Sequence, residues 1–323
     1  LRALADSLYL RVDWEFMLDD GAGIRMGWKP ETGFSTFGNW VGYNEAMILY
    51  ILALGSPTHP VPAYTWNTWT SNYWWSTQYG YTYLIFPPLF GHQYSHCWID
   101  FRGLQDGYMA GKGITYFENS RRATLAAREY CIVNPLNHTG YGPNTWGLTA
   151  SDDPGGYLAH GAPPAQNDNG TITPTAAAGS IAFAPEVVIP ALQNMYNAYG
   201  SMLWGKYGFK DAFNLGAFWW ATDYLGIDQG PIIMMIENHL NDAVWNRFMQ
   251  NPYVQNGLDA AGFVNVSSAP IVTNSPGGPF TLEQNSPNPF IGKTTFNFRM
   301  KTTDHATLRL YDVQGRLVKT MFD

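Results

Sequence analysis

Apolar residues recur every three or four positions over much of the first 266 residues, which is the spacing of one face of an α-helix. Proline or an Asn/Ser pair at the start of some segments fits helix N-termini. Several buried segments are followed by a more polar one. The pattern predicts an all-α domain with inner and outer helices, as in a toroid. The predicted helices are Leu1–Leu18, Gly38–Leu54, Pro87–Ile99, Asn119–Cys131 (N-cap Asn119 or Ser120), Pro185–Tyr199 and Asp228–Met249.

A long stretch between the fourth and fifth predicted helices interrupts this pattern. Residues Asn137–Thr175 are rich in Gly, Pro, Asn and Asp, and they also contain Trp and His. A loop of this length inside a compact domain is usually functional or disordered. Its Trp and His content favours a functional loop.

The pattern changes after residue 266. Residues Ser267–Gly278 have the Ser, Pro and Gly content of a linker. Apolar and polar residues then alternate in the short runs TTFNFRM and ATLRLYDV, which is typical of β-strands. About three strands are too few to close a sandwich. We therefore predict a helical domain (1–266), a linker (267–279) and part of a small β-sandwich (280–323).

Low charge and many aromatic rings narrow the choice of function. Charged residues are 13% of the chain and aromatic residues 16%, with 13 Trp. So many rings predict a large core and, in addition, a cleft lined with aromatic rings that stack on the flat apolar faces of sugars. The net charge of −7 argues against nucleic acid and anionic membranes as partners. No apolar run reaches the roughly 18 residues of a transmembrane helix.

Two features bear on how the chain is held together. Cys97 and Cys131 could pair, but two cysteines do not make a disulfide framework, so stability must come from the core. The chain begins at Leu1 inside a helical pattern, without a signal peptide. We interpret it as a fragment.

Hydrolysis of a glycosidic bond requires two carboxyl groups, one to protonate the leaving oxygen and one to activate water or attack the sugar. The acid keeps its proton best in an aromatic, poorly solvated wall. Glu45 is the only Asp, Glu, Lys or Arg between Glu31 and Asp100, and it opens a predicted buried helix. Asp228 precedes the last helix, and Asp223 lies five residues earlier. Capping of a helix N-terminus is the alternative role for Glu45 and Asp228.

Further polar side chains lie in aromatic surroundings. In PPLFGHQYSHCWIDFRG, His92 and His96 are four residues apart and could bind a metal from one helix face, but the Glu of a zinc-protease motif is absent. Hydrogen bonding to sugar hydroxyls or to core carbonyls is the favoured role, and we expect neither a metal nor a cofactor. The long loop adds residues that contact substrate or else staple the loop. The candidates for substrate contact are Trp40, Tyr43, Asn44, His59, His92, Gln93, His96, Asp100, Arg102, Trp146, Asp152 and His160.

Seven ordered blocks resemble the bacterial glycoamylase-like domain, which includes endo-β-1,2-glucanases and sophorose-releasing enzymes. The resemblance extends from about Arg11 to Gly262. The blocks are GYNEAMILYILALGSPTHP, FPPLFGHQYSHCWIDFRG, YFENSRRATLAAREYC, TWGLTASDDPGGYLAHGAPP, GTITPTAAAGSIAFAPE, LWGKYGFKDAFN and GIDQGPIIMMIEN.

This resemblance implies an (α/α)6 toroid with a cleft at one rim, and two acidic residues that work without a metal, generally with inversion. It implies that Glu45 is the general acid and that Asp228, or else Asp223, is the base. It also implies that the first helices of the toroid are missing before Leu1.

The tail resembles the C-terminal sorting module of type IX secretion, through the opening NSPNPF and the run LYDVQGRLV. That module implies an interaction with the type IX machinery and export to the surface or medium of a Bacteroidota-like bacterium. A generic β-sandwich appendage is the alternative.

Three functions follow as hypotheses. The first is hydrolysis of β-glucan, above all β-1,2-glucan, by two carboxyl groups. The second is exo-hydrolysis of α-glucan, as in a glucoamylase. The third is a non-catalytic surface protein that binds poly- or oligosaccharides.

Overall fold

The computed structural model describes residues 1–266, 280–282, 285–286, 292–300, 308–311 and 317–322. The chain divides into two compact units, Leu1–Val264 and Asn265–Asp323. The predicted linker at 267–279 lies outside the described residues, and the domain boundaries drawn from composition stay predictions.

The first unit is mainly helical. Short 3-10 helices lie at Phe16–Leu18, Leu89–His92 and Ser95–Cys97. The α-helices are α1 (Arg2–Leu10), α2 (Met47–Leu54), α3 (Tyr64–Thr70), α4 (Gly107–Lys112), α5 (Tyr116–Val133), α6 (Pro174–Ala178), α7 (Pro185–Leu203), α8 (Gly226–Asn241), α9 (Ala243–Phe248) and α10 (Pro252–Ala260).

Short strands lie between these helices, where the all-α prediction expected almost none. The strands are β1 (Trp75–Gln78), β2 (Tyr81–Leu84), β3 (Leu104–Gln105), β4 (Ala150–Asp153), β5 (Gly156–Ala159), β6 (Thr171–Ile172), β7 (Trp204–Gly205), β8 (Gly208–Phe209), β9 (Phe213–Asn214), β10 (Trp219–Trp220) and β11 (Val264–Asn265). The pairs β1–β2, β4–β5 and β7–β8 are antiparallel, and β9 lies between β6 and β10. The prediction of a helical domain is therefore right for the dominant elements, but it omits these short strands.

The second unit contains paired strands in its described residues. β12 (Phe280–Leu282) pairs antiparallel with β13 (Phe298–Met300), and β14 (Leu308–Tyr311) pairs antiparallel with β15 (Leu317–Phe322). The runs TTFNFRM and ATLRLYDV contain β13 and β14, as predicted.

Two helices begin or end at residues other than those predicted. α1 stops at Leu10, well before Leu18. α5 is capped by Thr115, whose side-chain oxygen accepts a hydrogen bond from the Glu118 N–H at 3.1 Å. The prediction of Asn119 or Ser120 as the cap is wrong, because both residues lie within α5. The Asn119 side-chain oxygen instead accepts a hydrogen bond from the Leu84 N–H at 2.7 Å.

The predicted helix Asp228–Met249 is broken at Asp242, which has a left-handed backbone (φ 57°). The Asn238 side-chain oxygen accepts hydrogen bonds from the N–H groups of Val244 and Trp245, both at 3.1 Å. These bonds fix the corner between α8 and α9.

Two predicted helices are largely irregular. Of Gly38–Leu54, only Met47–Leu54 is helical, because the Gly42 N–H donates to the Trp69 carbonyl and Gly42 has a positive φ of 80°. The segment Pro87–Ile99 contains 3-10 turns instead of an α-helix. His92 and His96 therefore do not share a helix face.

The core of the first unit contains two large hydrophobic clusters. One surrounds α2, α3 and α10, and the other surrounds α5 to α8. α2 and α10 approach at two glycines. A Cβ on Gly55 would overlap the Tyr253 carbonyl oxygen, and a Cβ on Gly257 would overlap the Ile51 carbonyl oxygen.

Cys97 and Cys131 are both buried and unpaired. Burial raises the pKa of the Cys97 thiol to about 12 and raises that of Cys131 further. Within the described residues, no helix combines the length and the apolar character needed to cross a membrane.

Candidate active site

Asp228 lies in the first turn of α8 and is 4% exposed. No side chain caps this helix, so capping does not explain the aspartate. The Tyr94 hydroxyl donates to Asp228 Oδ1 at 3.4 Å, and Oδ2 is buried without a hydrogen-bond donor. Asp228 therefore presents a buried carboxyl group that is only partly satisfied.

Asp211 lies beside Asp228, between β8 and β9, and is fully buried. Its Oδ2 accepts a hydrogen bond from the Asp152 N–H at 2.7 Å, and its carboxyl group lies close enough to that of Asp228 for the two to interact. Burial is the main cause that raises the pKa of both carboxyl groups. Asp211 is not among the residues predicted from the sequence, although it lies in the block LWGKYGFKDAFN.

Asp152 and Asp223 complete a cluster of four aspartates. Asp152 is half-buried on β4, and burial followed by the charge of Asp223 raises its pKa. Asp223 is exposed, and its carbonyl oxygen accepts a hydrogen bond from the Asp211 N–H at 3.2 Å. Asp223 also lines an open depression of about 540 Å³, together with Tyr207, Thr222, Tyr224, Gln229 and Ile233.

Glu45 is half-buried and lies just before α2, whose N-terminus has no side-chain cap. Ser95 fixes this turn, because its hydroxyl donates to the Glu45 carbonyl and accepts from the Ile48 N–H, both at 3.0 Å. Burial raises the pKa of the Glu45 carboxyl. The negative charges of Asp228 and Glu45 both add to the burial that raises the pKa of the Tyr94 hydroxyl. The structure therefore brings the predicted acid and base to one neighbourhood.

Tyr157 is a second residue that the sequence analysis missed. It stands on β5 opposite Asp152, and 57% of its surface is exposed. Burial of its hydroxyl region and the charges of Asp228, Asp211 and Asp152 raise its pKa. An exposed ring beside the carboxyl groups is a surface on which a sugar can stack. Tyr157 lies in the loop Asn137–Thr175 that the sequence predicts to be functional, and this location could have identified it as a candidate.

Three residues near Glu45 shape the turn that carries it. The Trp40 N–H donates to the Ile24 carbonyl at 2.8 Å, and the Asn44 side-chain oxygen accepts from the Ala46 N–H at 2.9 Å. The Tyr43 ring is buried and lies parallel to that of Tyr116, with ring centroids 6.0 Å apart.

Four predicted substrate contacts are buried in the core. His92 Nε2 lies 3.2 Å from the Phe86 carbonyl oxygen, and His96 Nε2 lies 3.1 Å from the Ser120 hydroxyl. The pKa of each is lowered to about 3, mainly by burial. The Gln93 amide donates to Ala176 and Ser180, and Trp146 is fully buried. We correct the substrate role of these residues to packing, since their side chains are not at the surface.

Other candidates bind partners that do not belong to the cluster of four aspartates. His160 is fully buried, with Nδ1 2.7 Å from the Asn167 carbonyl and Nε2 3.2 Å from Asp153, which matches the staple role. Arg102 pairs with Asp100 at 2.7 Å and with Asp242 at 3.1 Å. His59 lies 4.0 Å from Asp13.

No group of three or more His, Cys, Asp or Glu side chains in the described residues has the geometry to hold a metal ion. The arrangement offers carboxyl chemistry. It combines a half-buried glutamic acid with a raised pKa and a buried aspartate held by a tyrosine hydroxyl. Two carboxyl groups in different environments can act as acid and base in one reaction.

The sequence and the fold both match known proteins. A family model described as "Putative glucoamylase" (Glycoamylase) matches residues 38–252. An exo β-1,2-glucooligosaccharide sophorohydrolase from Parabacteroides distasonis is 33% identical over 285 residues, which cover 80% of this chain and 39% of that protein.

Two solved structures are similar in fold. An endo-β-1,2-glucanase from Chitinophaga pinensis, in complex with sophorotriose and glucose, has a TM-score of 0.76 and 36% identity, over 81% of this chain and 64% of the other. A Bacteroides uniformis protein with the same description as the family model has a TM-score of 0.77 and 40% identity, over 82% of this chain and 65% of the other. This chain thus spans 39% of the length of the curated relative.

The region matched by the family model contains Glu45, Asp211 and Asp228, and it covers more than half of the chain. The mainly helical fold of the first unit is shared with solved relatives at more than one third identity. These findings confirm the resemblance drawn from the seven blocks. The chain belongs to the glycoamylase-like family.

Proposed function

We propose that this protein is a glycoside hydrolase that cleaves β-1,2-glucan or its oligosaccharides. The observation that carries the proposal is the meeting of Glu45 and Asp228 around the Tyr94 hydroxyl. The named activities of the relatives from Parabacteroides distasonis and Chitinophaga pinensis support the substrate class.

In the proposed mechanism, Glu45 is the general acid and Asp228 is the general base. Burial raises the pKa of Glu45, so its carboxyl group stays neutral closer to physiological pH and can protonate the glycosidic oxygen. Ionised Asp228 removes a proton from water, which attacks the anomeric carbon from the opposite face. This gives inversion of the anomeric configuration.

We assign substrate contact to the exposed and half-buried groups around these two carboxyl groups. Tyr157 offers a ring for stacking, and Asp152 and Asp223 offer carboxylate oxygens to sugar hydroxyls. Their position on the β4–β5 hairpin and just before α8 supports this assignment.

We also propose that the helices of the first unit belong to an (α/α)6 toroid with the cleft at one rim. The fold shared with the solved relatives and the predominance of helices support this proposal.

The hydrolase proposal is tested with linear β-1,2-glucan. The purified protein should release short oligosaccharides, which chromatography resolves. Glu45→Gln should reduce kcat by about 10²- to 10⁴-fold, since an amide cannot donate the acid's proton. Glu31→Gln is the matched control, because Glu31 is exposed. Undiminished turnover in Glu45→Gln would remove Glu45 as the acid.

Two further outcomes would select the other hypotheses. Release of glucose from starch, without action on β-1,2-glucan, would favour an α-glucan exo-hydrolase. Binding of β-1,2-glucan without turnover would favour a glycan-binding protein.

We propose that the second unit directs export through type IX secretion to the cell surface or medium. The motif NSPNPF and the antiparallel strand pairs support this, although residues 287–290 and 312–316 of the motifs lie outside the described residues. A reporter fused to residues 265–323 should leave a bacterium with this machinery and stay inside a strain that lacks it. Retention in both strains would favour a β-sandwich appendage.

A further inference from the structure

We propose that Asp211 is a positioning residue whose carboxyl group holds a proton and donates it in a hydrogen bond to Asp228, which keeps Asp228 ionised and oriented to activate water. This inference rests on the proposed hydrolase function. It assigns a role to a residue that does not itself need to touch the substrate.

The closeness of two buried carboxyl groups favours a proton retained between them. Two ionised carboxylates have no donor to share, and they repel each other when buried. Asp211 Oδ1 and Asp228 Oδ2 are both buried, and neither has another hydrogen-bond donor. One proton between the two groups satisfies these oxygens.

No neighbouring cation replaces this proton. In the part of the chain that the structure describes, no salt bridge reaches Asp211 or Asp228. The adjacent Lys210 points elsewhere, since its amine donates to the Met202 carbonyl at 2.9 Å. Removal of the charge by protonation is the route that remains for this pair.

The surroundings decide which carboxyl group keeps the proton. Asp228 accepts from the Tyr94 hydroxyl and stands in the first turn of α8, where the helix dipole favours an anion. Asp211 accepts only from the Asp152 N–H, and it faces the charges of Asp228 and Asp152. Asp211 is therefore the donor.

The groups that face this pair come from several elements. Asp152 and Tyr157 lie on the β4–β5 hairpin and Tyr94 lies between the 3-10 turns, while Glu45, just before α2, interacts with Tyr94. Asp223 is linked to Asp211 through the backbone. Because all of these groups are neutral or acidic, the surroundings favour one retained proton over two negative charges.

The activity test compares Asp211→Asn with Asp211→Ala. Asparagine can still donate to Asp228 and accept from the Asp152 N–H, whereas alanine can do neither. Asp211→Ala should lose about tenfold to a hundredfold in kcat, in the range known for residues that orient a catalytic group. The acidic limb of its kcat/KM profile should move up by about one pH unit, because Asp228 loses a donor to its ionised form.

Asp211→Asn should lose less activity than Asp211→Ala and keep the acidic limb of the natural protein. Asp259→Asn is the charge control, since Asp259 is exposed on α10. Equal losses in both Asp211 variants with an unmoved acidic limb would overturn the proposal.

Infrared spectroscopy tests the shared proton without any need for turnover. The difference spectrum between the natural protein and Asp211→Asn at neutral pH should contain the C=O stretch of a neutral carboxylic acid. Absence of this band would overturn the proposal even in an active enzyme. If the band is present in a protein that cleaves no glucan, the proton is confirmed and the hydrolase function fails instead. Because the infrared measurement uses Asp211→Asn, it tests the shared proton even if Asp211→Ala does not fold.

Discussion

Asp223 and Asp228 are five residues apart in the sequence, yet their surroundings differ in kind. Asp228 is buried at the start of α8 beside Tyr94 and Asp211, whereas Asp223 is exposed at the rim of an open depression. A general base gains from a fixed, poorly solvated carboxyl group, since its orientation is set before the substrate binds. These differences favour Asp228 as the base.

Asp228→Asn should therefore lower kcat by about 10²- to 10⁴-fold, because the amide cannot accept the proton from water. Asp223→Asn should raise KM with a small effect on kcat, as expected for a residue at the rim. Steady-state kinetics on β-1,2-glucan oligosaccharides measures both values. The reverse order of effects would make Asp223 the base.

The raised pKa of Asp211 also has a consequence for stability. A carboxyl group whose pKa is higher in the folded state stabilises the protein fully below its ordinary pKa of about 3.9. That stability is lost as the pH rises through the raised pKa, because the buried group must then ionise. Asp211→Asn removes this titration.

We expect the melting temperature of Asp211→Asn, relative to the natural protein, to increase as the pH rises from about 3.9 towards neutrality. The change in relative stability is at most about 1.4 kcal/mol per pH unit. Thermal unfolding across this pH range measures it. A constant difference for Asp211→Asn would mean that its pKa is not raised.

At the scale of elements, the contact between α2 and α10 depends on the absence of two side chains. Backbone atoms of each helix occupy the space in which a Cβ of Gly55 or Gly257 would lie. Helices that approach this closely gain contact between their backbones, but they accept no larger residue.

Gly257→Ala should destabilise the protein by about 1–3 kcal/mol, since the new methyl group overlaps the Ile51 carbonyl oxygen and the helices must separate. Gly111→Ala in α4 is the matched control, because its Cβ would meet nothing within 4 Å. We expect that control to be stabilised by about 0.5–1 kcal/mol. Urea unfolding measures both, and equal stabilities would contradict the close approach.

The sequence predicts best those elements whose own residues mark them, such as a proline in the first turn of a helix or alternating apolar and polar residues in a strand. α7 starts at the proline that marks its first turn, and both predicted strands of the tail are present. The segment Pro87–Ile99, predicted as one helix, instead contains two short 3-10 helices. It is tied to the long loop, because the N–H groups of Leu89 and Phe90 donate to the Leu148 carbonyl and the Thr149 hydroxyl.

At the scale of the whole molecule, the sequence identified the family and predicted two catalytic carboxyl groups, and the tertiary structure shows the surroundings of both. Asp211 follows Lys210 in the sequence, so it has the pattern of a solvated charged turn. Only the fold brings it against Asp228. Conversely, His92, His96 and Trp146 have the chemistry of sugar contacts, but the fold buries them in the core. Long-range contacts of this kind have no local pattern from which to predict them.

The two unpaired thiols lie in the same hydrophobic cluster of the first unit. A thiol reacts as its thiolate, and burial keeps both thiols protonated and out of reach of reagents. The protein thus carries its own reporter of opening. A thiol-reactive dye should label the native protein only as fast as that core unfolds, and should label both cysteines at once in urea. Equal labelling rates in buffer and in urea would show that the core opens readily in the native protein. A slow labelling rate in buffer would instead report how rarely the core opens.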